Sequence, residues 1–173
     1  SKITKISNKL KYNSIIISIF KVKGDVAGNN FALMIPDKDI IFHRISKLNF
    51  LGKNYFKKNY TYFEVEITYR RGTRIDKLSN KSILNSIFYG LKKLKFVERK
   101  TDIKSYVIKR FKYAYVIYNL EHRKSVDEII NFFNRDEVYF LGRWGTWEYL
   151  NSDQVINKAK LLSDKILNEI NKK

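Results

Sequence analysis

The stretch Val138-Tyr139-Phe140-Leu141-Gly142-Arg143-Trp144-Gly145-Thr146-Trp147-Glu148-Tyr149-Leu150-Asn151-Ser152-Asp153-Gln154 decides the C-terminal part of the fold. Its apolar residues at 138–141 predict a short buried strand. The two glycines that follow predict a loop in which the backbone can approach a ligand closely. Asn151 or Ser152 is a typical N-cap and predicts a helix that begins there. The expected local structure is therefore strand, loop and helix.

This stretch has two chemical interpretations. Arg143 offers a planar fork of donors, and a helix start offers unpaired backbone N–H groups, which together suit a flat, anionic ligand. A packed corner explains the same spacing, with Trp144 and Trp147 as core residues and Arg143 paired with a carboxylate. The residues of the stretch alone leave both interpretations open.

Upstream of this stretch, apolar periodicity predicts a sheet covered by helices. Residues 12–22 carry apolar side chains on both faces and predict a central strand, whereas residues 60–70 alternate cleanly and predict one packed face and one open face. The other expected elements are a hairpin of residues 31–35 and 40–46, a strand at 105–118, and helices that begin at Ser79 and at a Ser125 capping box. The predicted fold class is α+β: a mainly antiparallel sheet with covering helices, followed by the C-terminal strand-loop-helix segment.

Composition excludes several classes of protein. With 173 residues, 44% of them hydrophobic, the chain can bury a core. No apolar run approaches the roughly 18 residues that cross a bilayer, so we expect a soluble chain with no membrane partner. The absence of cysteine excludes disulfides, thiolate zinc sites and a Cys nucleophile, and it favours a cytoplasmic location.

The net charge of +18 would attract polyanions. It is compatible with a nucleic-acid-binding module, with a phosphate-bearing substrate held by a few Arg or Lys, or with a bias towards Lys, Asn and Ile throughout the sequence. Most lysines are scattered singly, so we favour the compositional bias for most of the charge.

The ionisable residues suggest little side-chain catalysis. Glu64 and Glu66 share a strand face, but glycosidase carboxylates flank a bond from different elements, so solvation or pairing with nearby Arg or Lys is the favoured role. His43 and His122 are the only histidines, too few for a metal site without supporting carboxylates. The catalytic residues stay unknown, and no metal site is predicted.

Two motifs in the C-terminal part of the sequence resemble those of a known family. Gly142-Arg143-Trp144-Gly145-Thr146-Trp147-Glu148-Tyr149, followed by Asp153-Gln154-Val155-Ile156, resembles the closing flavin segment of the FAD-dependent oxidoreductases related to UDP-galactopyranose mutase, protoporphyrinogen oxidase and the amine oxidases. The resemblance continues upstream through Lys112-Tyr113-Ala114-Tyr115-Val116-Ile117-Tyr118, Phe42-His43-Arg44 and Glu64-Val65-Glu66-Ile67-Thr68-Tyr69. Val116 stands where such proteins often carry proline.

The resemblance implies two sets of site residues. The FAD contacts would come from the closing segment, namely Gly142, Arg143, Tyr149, Asn151, Ser152, Asp153 and Gln154. The substrate contacts would come from Arg44, Tyr113, Tyr115 and Tyr118. It further implies that residues 1–135 form part of a substrate-binding domain, and that residues 136–173 are the C-terminal segment of an FAD-binding domain.

The glycine-rich dinucleotide fingerprint of such enzymes is missing from this sequence. The seven glycines, at positions 24, 28, 52, 72, 90, 142 and 145, do not fit G-x-G-x-x-G. We therefore expect the C-terminal part of a longer flavoprotein, whose N-terminal FAD-binding half lies elsewhere. The start at Ser1 without an initiator Met agrees with this expectation. Alone, the chain should neither retain FAD nor be active.

The predicted function is accordingly the substrate-binding and flavin-closing portion of an FAD-dependent oxidoreductase or mutase, acting on a small molecule such as a sugar nucleotide or an amine. The alternative is a basic single-strand nucleic-acid-binding module, with Tyr113, Tyr115 and Trp147 as stacking platforms. A third expectation is self-association through the apolar edge formed by Val138 to Leu141.

Overall fold

The two long apolar stretches of the sequence form neighbouring strands inside the sheet. β1 (Lys11–Lys23) and β4 (Tyr60–Tyr69) pair antiparallel, with Phe20 opposite Phe63 and Ile16 opposite Ile67. Successive strand residues point to opposite faces, so these side chains share one face of the sheet. All four are essentially inaccessible to solvent, and they fix the register of the pair.

The remaining strands lie on either side of this pair. β2 (Ala32–Met34) and β3 (Arg44–Lys47) form the expected hairpin, and β3 pairs with β4. β5 (Ile103–Ile117) is an edge strand beside β1, and within the described residues the order is β2-β3-β4-β1-β5. The fold-class prediction of a mainly antiparallel α+β protein is confirmed.

The structure, a computed structural model, describes residues 1–52, 54, 56–134 and 138–171. It divides into two units. The sheet unit is Asn13–Ala114, and the terminal unit combines Ser1–Tyr12 with Tyr115–Lys173. The predicted functional boundary after residue 135 falls outside the described residues and stays a prediction.

An amphipathic helix packs against one face of the sheet. α2 (Asn80–Lys93) begins at the predicted cap Ser79, whose hydroxyl accepts from the Ser82 N–H at 3.1 Å. Its buried face carries Ile83, Ile87 and Leu91, which join the core formed by the inner strands. A spacing of four residues places these side chains on one stripe of the helix, as the sequence predicts.

Gly90 lies where α2 approaches the chain that precedes β3. A Cβ built on Gly90 would lie 2.5 Å from Cε1 of Phe42 and 2.9 Å from Cγ2 of Ile40. Glycine is therefore required here by the close approach of the helix.

The terminal unit consists of helices. Its elements are α1 (Lys2–Ser7), α3 (His122–Asn134), the short α4 (Gly142–Gly145) and α5 (Ser152–Ile170). No residue of α5 is fully buried: Val155, Ala159, Leu162 and Ile166 are partly buried, whereas Ile156, Leu161, Leu167 and Ile170 are more than half exposed. Within the described residues, no helix combines the length and apolarity that crossing a bilayer requires.

Two local predictions are wrong. Residues 138–141 are not a strand, and Val138 and Leu141 are each 41% exposed. A strand needs a hydrogen-bonding neighbour, and none of the described strands pairs with this segment. Self-association through Val138 to Leu141 stays a prediction, now without a strand edge to support it.

The second wrong prediction is the capping box at Ser125. α3 begins three residues earlier, at His122, and Ser125 is a buried residue inside the helix whose N–H donates to the Glu121 carbonyl at 2.9 Å. The Ser-x-x-Glu pattern is local, whereas burial of His122 extends the helix towards its N-terminus.

Candidate functional site

The backbone turn at Gly142 opens the candidate flavin segment. Gly142 has φ +81°, a conformation that favours glycine, and an added Cβ would meet nothing within 4 Å. Its carbonyl accepts from the Thr146 backbone N–H at 2.9 Å, which closes the turn of α4. The turn is therefore well defined and leaves room beside the Gly142 backbone.

Arg143 fastens this turn to the start of α5. Its guanidinium donates from Nε and Nη2 to the carbonyl of Leu150, at 3.2 and 2.8 Å. The same group lies 4.6 Å from the centre of the Tyr149 ring and 5.8 Å from that of Tyr115. Leu150 immediately precedes the N-cap Asn151, so the arginine and the helix start are neighbours.

The first turn of α5 is organised by its cap. The Asn151 N–H donates to Oε1 of Gln154 at 2.8 Å, and the Asn151 carbonyl accepts the Val155 N–H at 3.0 Å. Ser152 and Asp153 are exposed in the first turn, where backbone N–H groups have no carbonyl partner within the helix. A negative ligand would be stabilised at this end. The predicted helix start is confirmed, while its role towards FAD stays a prediction.

Two tyrosines, Tyr115 and Tyr149, adjoin Arg143 in the terminal unit, and Tyr118 contacts Tyr149. Tyr115 stacks on Tyr149 with ring centres 5.7 Å apart, and the Tyr118 hydroxyl accepts from the Tyr149 N–H at 2.6 Å. Residues predicted separately as substrate contacts and as cofactor contacts thus meet in one cluster. We call Tyr115, Tyr118, Arg143 and Tyr149 the arginine–tyrosine cluster.

Trp147 shapes the same region through its backbone. It has φ +49°, which is strained for a side chain of this size, and its carbonyl accepts from Nε2 of buried His122 at 2.8 Å. Its ring contacts Trp144 edge-on at 5.2 Å. The buried indole Nε1 has no hydrogen-bond partner among the described residues. An orphaned buried donor beside a strained backbone is typical of a functional site.

Glu148 links two helices through ion pairs, a role that was not predicted from the sequence. It pairs with Arg123 at 3.0 Å and with Lys158 at 2.5 Å, which joins α3 to α5. The hydrogen bond from Lys158, followed by that from Arg123, lowers the pKa of Glu148 to about 2. Its partners lie 25 and 10 residues away, so local spacing gave no signal for it.

Arg44 and Tyr113 belong to the sheet unit. Arg44 forms a close ion pair with buried Glu66 and a longer one, of 3.9 Å, with Glu64. The expected pairing of both glutamates with a basic residue is confirmed. Burial, and next the neighbouring Glu66, raise the pKa of Glu64. Because the charge of Arg44 is already compensated, an anionic substrate would compete with two carboxylates.

Comparisons with known proteins identify the fold. No protein-family model and no curated protein matches the chain. Among solved structures, reduced UDP-galactopyranose mutase matches with a TM-score of 0.74 and 16% identity over 84% of this chain and 31% of its own. A proposed protoporphyrinogen oxidase from Exiguobacterium sp. 255-15 matches with a TM-score of 0.72 and 12% identity over 94% of this chain and 36% of its own.

These matches define the class of fold. The chain shares the fold of about one third of each of these two proteins, and the resemblance seen in the sequence is confirmed at the level of the fold. The chain spans less than two fifths of the length of either solved protein, so their whole activities are not carried over to it.

Proposed function

We propose that this chain supplies the substrate-binding sheet and the flavin-closing segment of an FAD-dependent oxidoreductase or mutase. The observation that carries the proposal is the Arg143–Leu150 contact, which places a guanidinium beside the N-terminus of α5. Two independent sources of attraction for an anion, a cationic fork and a helix start, then act at one place. The shared fold with UDP-galactopyranose mutase supports the same assignment.

The residues present fit an FAD molecule that another segment would hold by its pyrophosphate. The turn at Gly142 leaves space beside its backbone, and the orphaned Trp147 indole N–H is a donor without a described partner. Bound FAD would supply the electron transfer. Arg143 and the first-turn amides of α5 would hold negative charge at the flavin, while Tyr115 and Tyr149 orient the guanidinium.

The sheet unit would bind the substrate. On β4, the face that bears Glu64 and Glu66 is not covered by α2, and it carries the ion pairs with Arg44. A polar face of this kind suits a hydroxyl-rich or charged small molecule, such as a sugar nucleotide or an amine. Arg44 and Tyr113 are the proposed substrate contacts in this unit.

The remaining FAD contacts would come from a glycine-rich portion that this chain does not contain. FAD titrated into the isolated chain should accordingly give no change in flavin fluorescence. Micromolar binding by the chain alone would contradict the division of the cofactor site between two portions.

The direct test is Arg143→Ala in the enzyme assembled with its FAD-binding portion. We expect the flavin-to-protein ratio after gel filtration to fall at least several-fold, because one cationic contact and the anchor of the turn are lost together. Arg71→Ala removes an exposed arginine of the sheet unit and serves as the matched control. An Arg143→Ala enzyme that keeps its flavin and its fold would remove Arg143 from the site.

The nucleic-acid alternative is less well supported. The observation that favours it is the positive charge of the sheet unit, in which residues 13–114 contain 22 Lys and Arg against eight Asp and Glu. Two of its three stacking rings are already engaged, Tyr115 with Tyr149 and Trp147 with Trp144. The third ring, that of Tyr113, is 48% exposed, and the ammonium of Lys112 lies 4.8 Å from its centre.

A further inference from the structure

A basic cleft opens in the sheet unit, where β1 ends and β4 begins. Its volume is about 850 Å³, within the range of about 300–1,000 Å³ that is usual for small-molecule sites. Four lysines line it, namely Lys23, Lys47, Lys57 and Lys58, against one carboxylate, Asp25. None of the residues proposed above to contact FAD or substrate lines the cleft.

The walls of the cleft are fixed by hydrogen bonds. The Gly24 N–H donates to the Asn59 carbonyl at 2.8 Å, and the Thr61 hydroxyl donates to the Gly24 carbonyl at 2.6 Å. Nδ2 of Asn49 donates to the Tyr60 carbonyl at 2.9 Å, and Oδ1 of Asn49 accepts from the Tyr62 backbone N–H at 2.8 Å. A cleft bound together in this way is preorganised, which lowers the entropic cost of binding.

One lysine is built into the floor. Lys47 is about nine-tenths buried, and its ammonium donates to Oδ1 of Asp25 at 2.7 Å and to the Gly28 carbonyl at 2.6 Å. These bonds use two of the three donors of an ammonium group. The hydrogen bond from Lys47 lowers the pKa of Asp25. The ionised carboxylate forms its ion pair with Lys47.

The other three lysines are left without counter-charge. Lys23, Lys57 and Lys58 are exposed and form no ion pair with any described carboxylate. Like charges that converge on one cleft repel each other, and an anion between them relieves the repulsion. Phosphate groups are the usual ligands of such lysines.

Aromatic rings complete the lining. Phe56 and Tyr60 both border the cleft, and Phe56 is held against Tyr62 with ring centres 4.8 Å apart. A half-exposed ring beside a cationic cluster can stack a planar base while the lysines hold phosphate. The size, charge and rings of the cleft together fit a nucleotide better than a bare inorganic ion.

We propose that this cleft is a second anion site of the protein, which binds the phosphates of a nucleoside diphosphate through Lys23, Lys57 and Lys58. The site lies wholly in the sheet unit. It needs neither FAD nor the missing glycine-rich portion, so the isolated chain can be tested and the flavin proposal can fail without affecting it.

The test is calorimetric titration of the chain with ADP and with inorganic pyrophosphate, at about 150 mM salt. We expect saturable 1:1 binding of ADP, with pyrophosphate several-fold weaker because it lacks the stacked base. The triple variant Lys23→Ala/Lys57→Ala/Lys58→Ala should weaken ADP binding at least tenfold, which corresponds to about 1.4 kcal/mol.

The matched control is Lys77→Ala/Lys81→Ala/Lys92→Ala, which removes the same charge from exposed positions outside the cleft. It should leave ADP binding unchanged. Equal weakening by both triple variants, or no binding of ADP at all, would overturn the proposal. A single-stranded oligonucleotide that binds more tightly than ADP, and alone depends on the three lysines, would assign the cleft to nucleic acid instead.

Discussion

At the scale of single residues, the segment from Gly142 to Asn151 shows which features of a site can be predicted from sequence. Gly142, Arg143 and Asn151 are close in the chain, and their motif predicts both the turn and the helix start. Glu148 lies in the same motif, yet its role depends on Arg123 and Lys158, whose side chains reach it only after folding. Ion pairs between helices leave no periodic pattern, so the sequence could not predict this one.

Glu148 should make the stability of the terminal unit depend on pH. Its pKa falls from 4.5 in the unfolded chain to about 2 in the folded state. Its stabilisation is therefore complete above pH 4.5 and is lost as the pH falls towards 2. We expect Glu148→Gln to lower the free energy of unfolding by about 1 kcal/mol at neutral pH, since solvent screening reduces the full effect of the pKa.

The measurement is chemical denaturation of wild type and Glu148→Gln at a series of pH values. The difference between them should shrink to nothing in acid. Asp164→Asn, which removes an exposed carboxylate of α5, should stay close to wild type throughout. A constant difference at every pH would show that packing, and not charge, explains the loss.

At the scale of elements, the long apolar strands were predicted well and the short isolated apolar run was not. β4 alternates from Phe63 to Tyr69, which fixes its type and its buried face, whereas β1 carries apolar residues on both faces and was predicted as a central strand. The run at 138–141 is too short for a period and needs a partner strand that the described chain does not provide. The prediction that a helix begins at Ser125 was wrong for a related reason. A cap motif is local, whereas the helix begins earlier, at the buried residue His122.

The close packing of α2 on the segment that precedes β3 can be tested at Gly90. Alanine in place of glycine usually stabilises a helix interior by about 1 kcal/mol. Here we expect the opposite, a loss of about 1–3 kcal/mol, because the added methyl group would overlap the Phe42 ring. Thermal unfolding of Gly90→Ala beside Lys92→Ala, an exposed site on the same helix, measures the effect. A stabilised Gly90→Ala would mean that α2 does not pack so closely.

At the scale of the whole molecule, the two units differ in how much they bury. The core cluster draws on β1, β3, β4 and α2, all in the sheet unit. α5 contributes no buried residue, although its sequence has the apolar stripe of a packed helix. Periodicity predicts the stripe, but it does not predict how deeply the stripe is buried, because burial depends on the surface against which a helix packs.

Hydrogen exchange should report this difference directly. We expect amides of β4 and α2 to exchange at least tenfold more slowly than those of α5, since protection follows burial and local stability. Mass spectrometry of proteolytic peptides would resolve the three elements. Equal protection of α5 and β4 would show that the terminal unit has a core of its own.

The terminal unit is assembled from both ends of the sequence, with Asn13–Ala114 inserted between them. During translation, α1 leaves the ribosome before the insertion, but α3, the helix on which it packs, emerges only after the insertion is complete. The nascent chain can therefore form its sheet before α1 has its partner, and the contact between α1 and α3 closes only after the sheet has been synthesised.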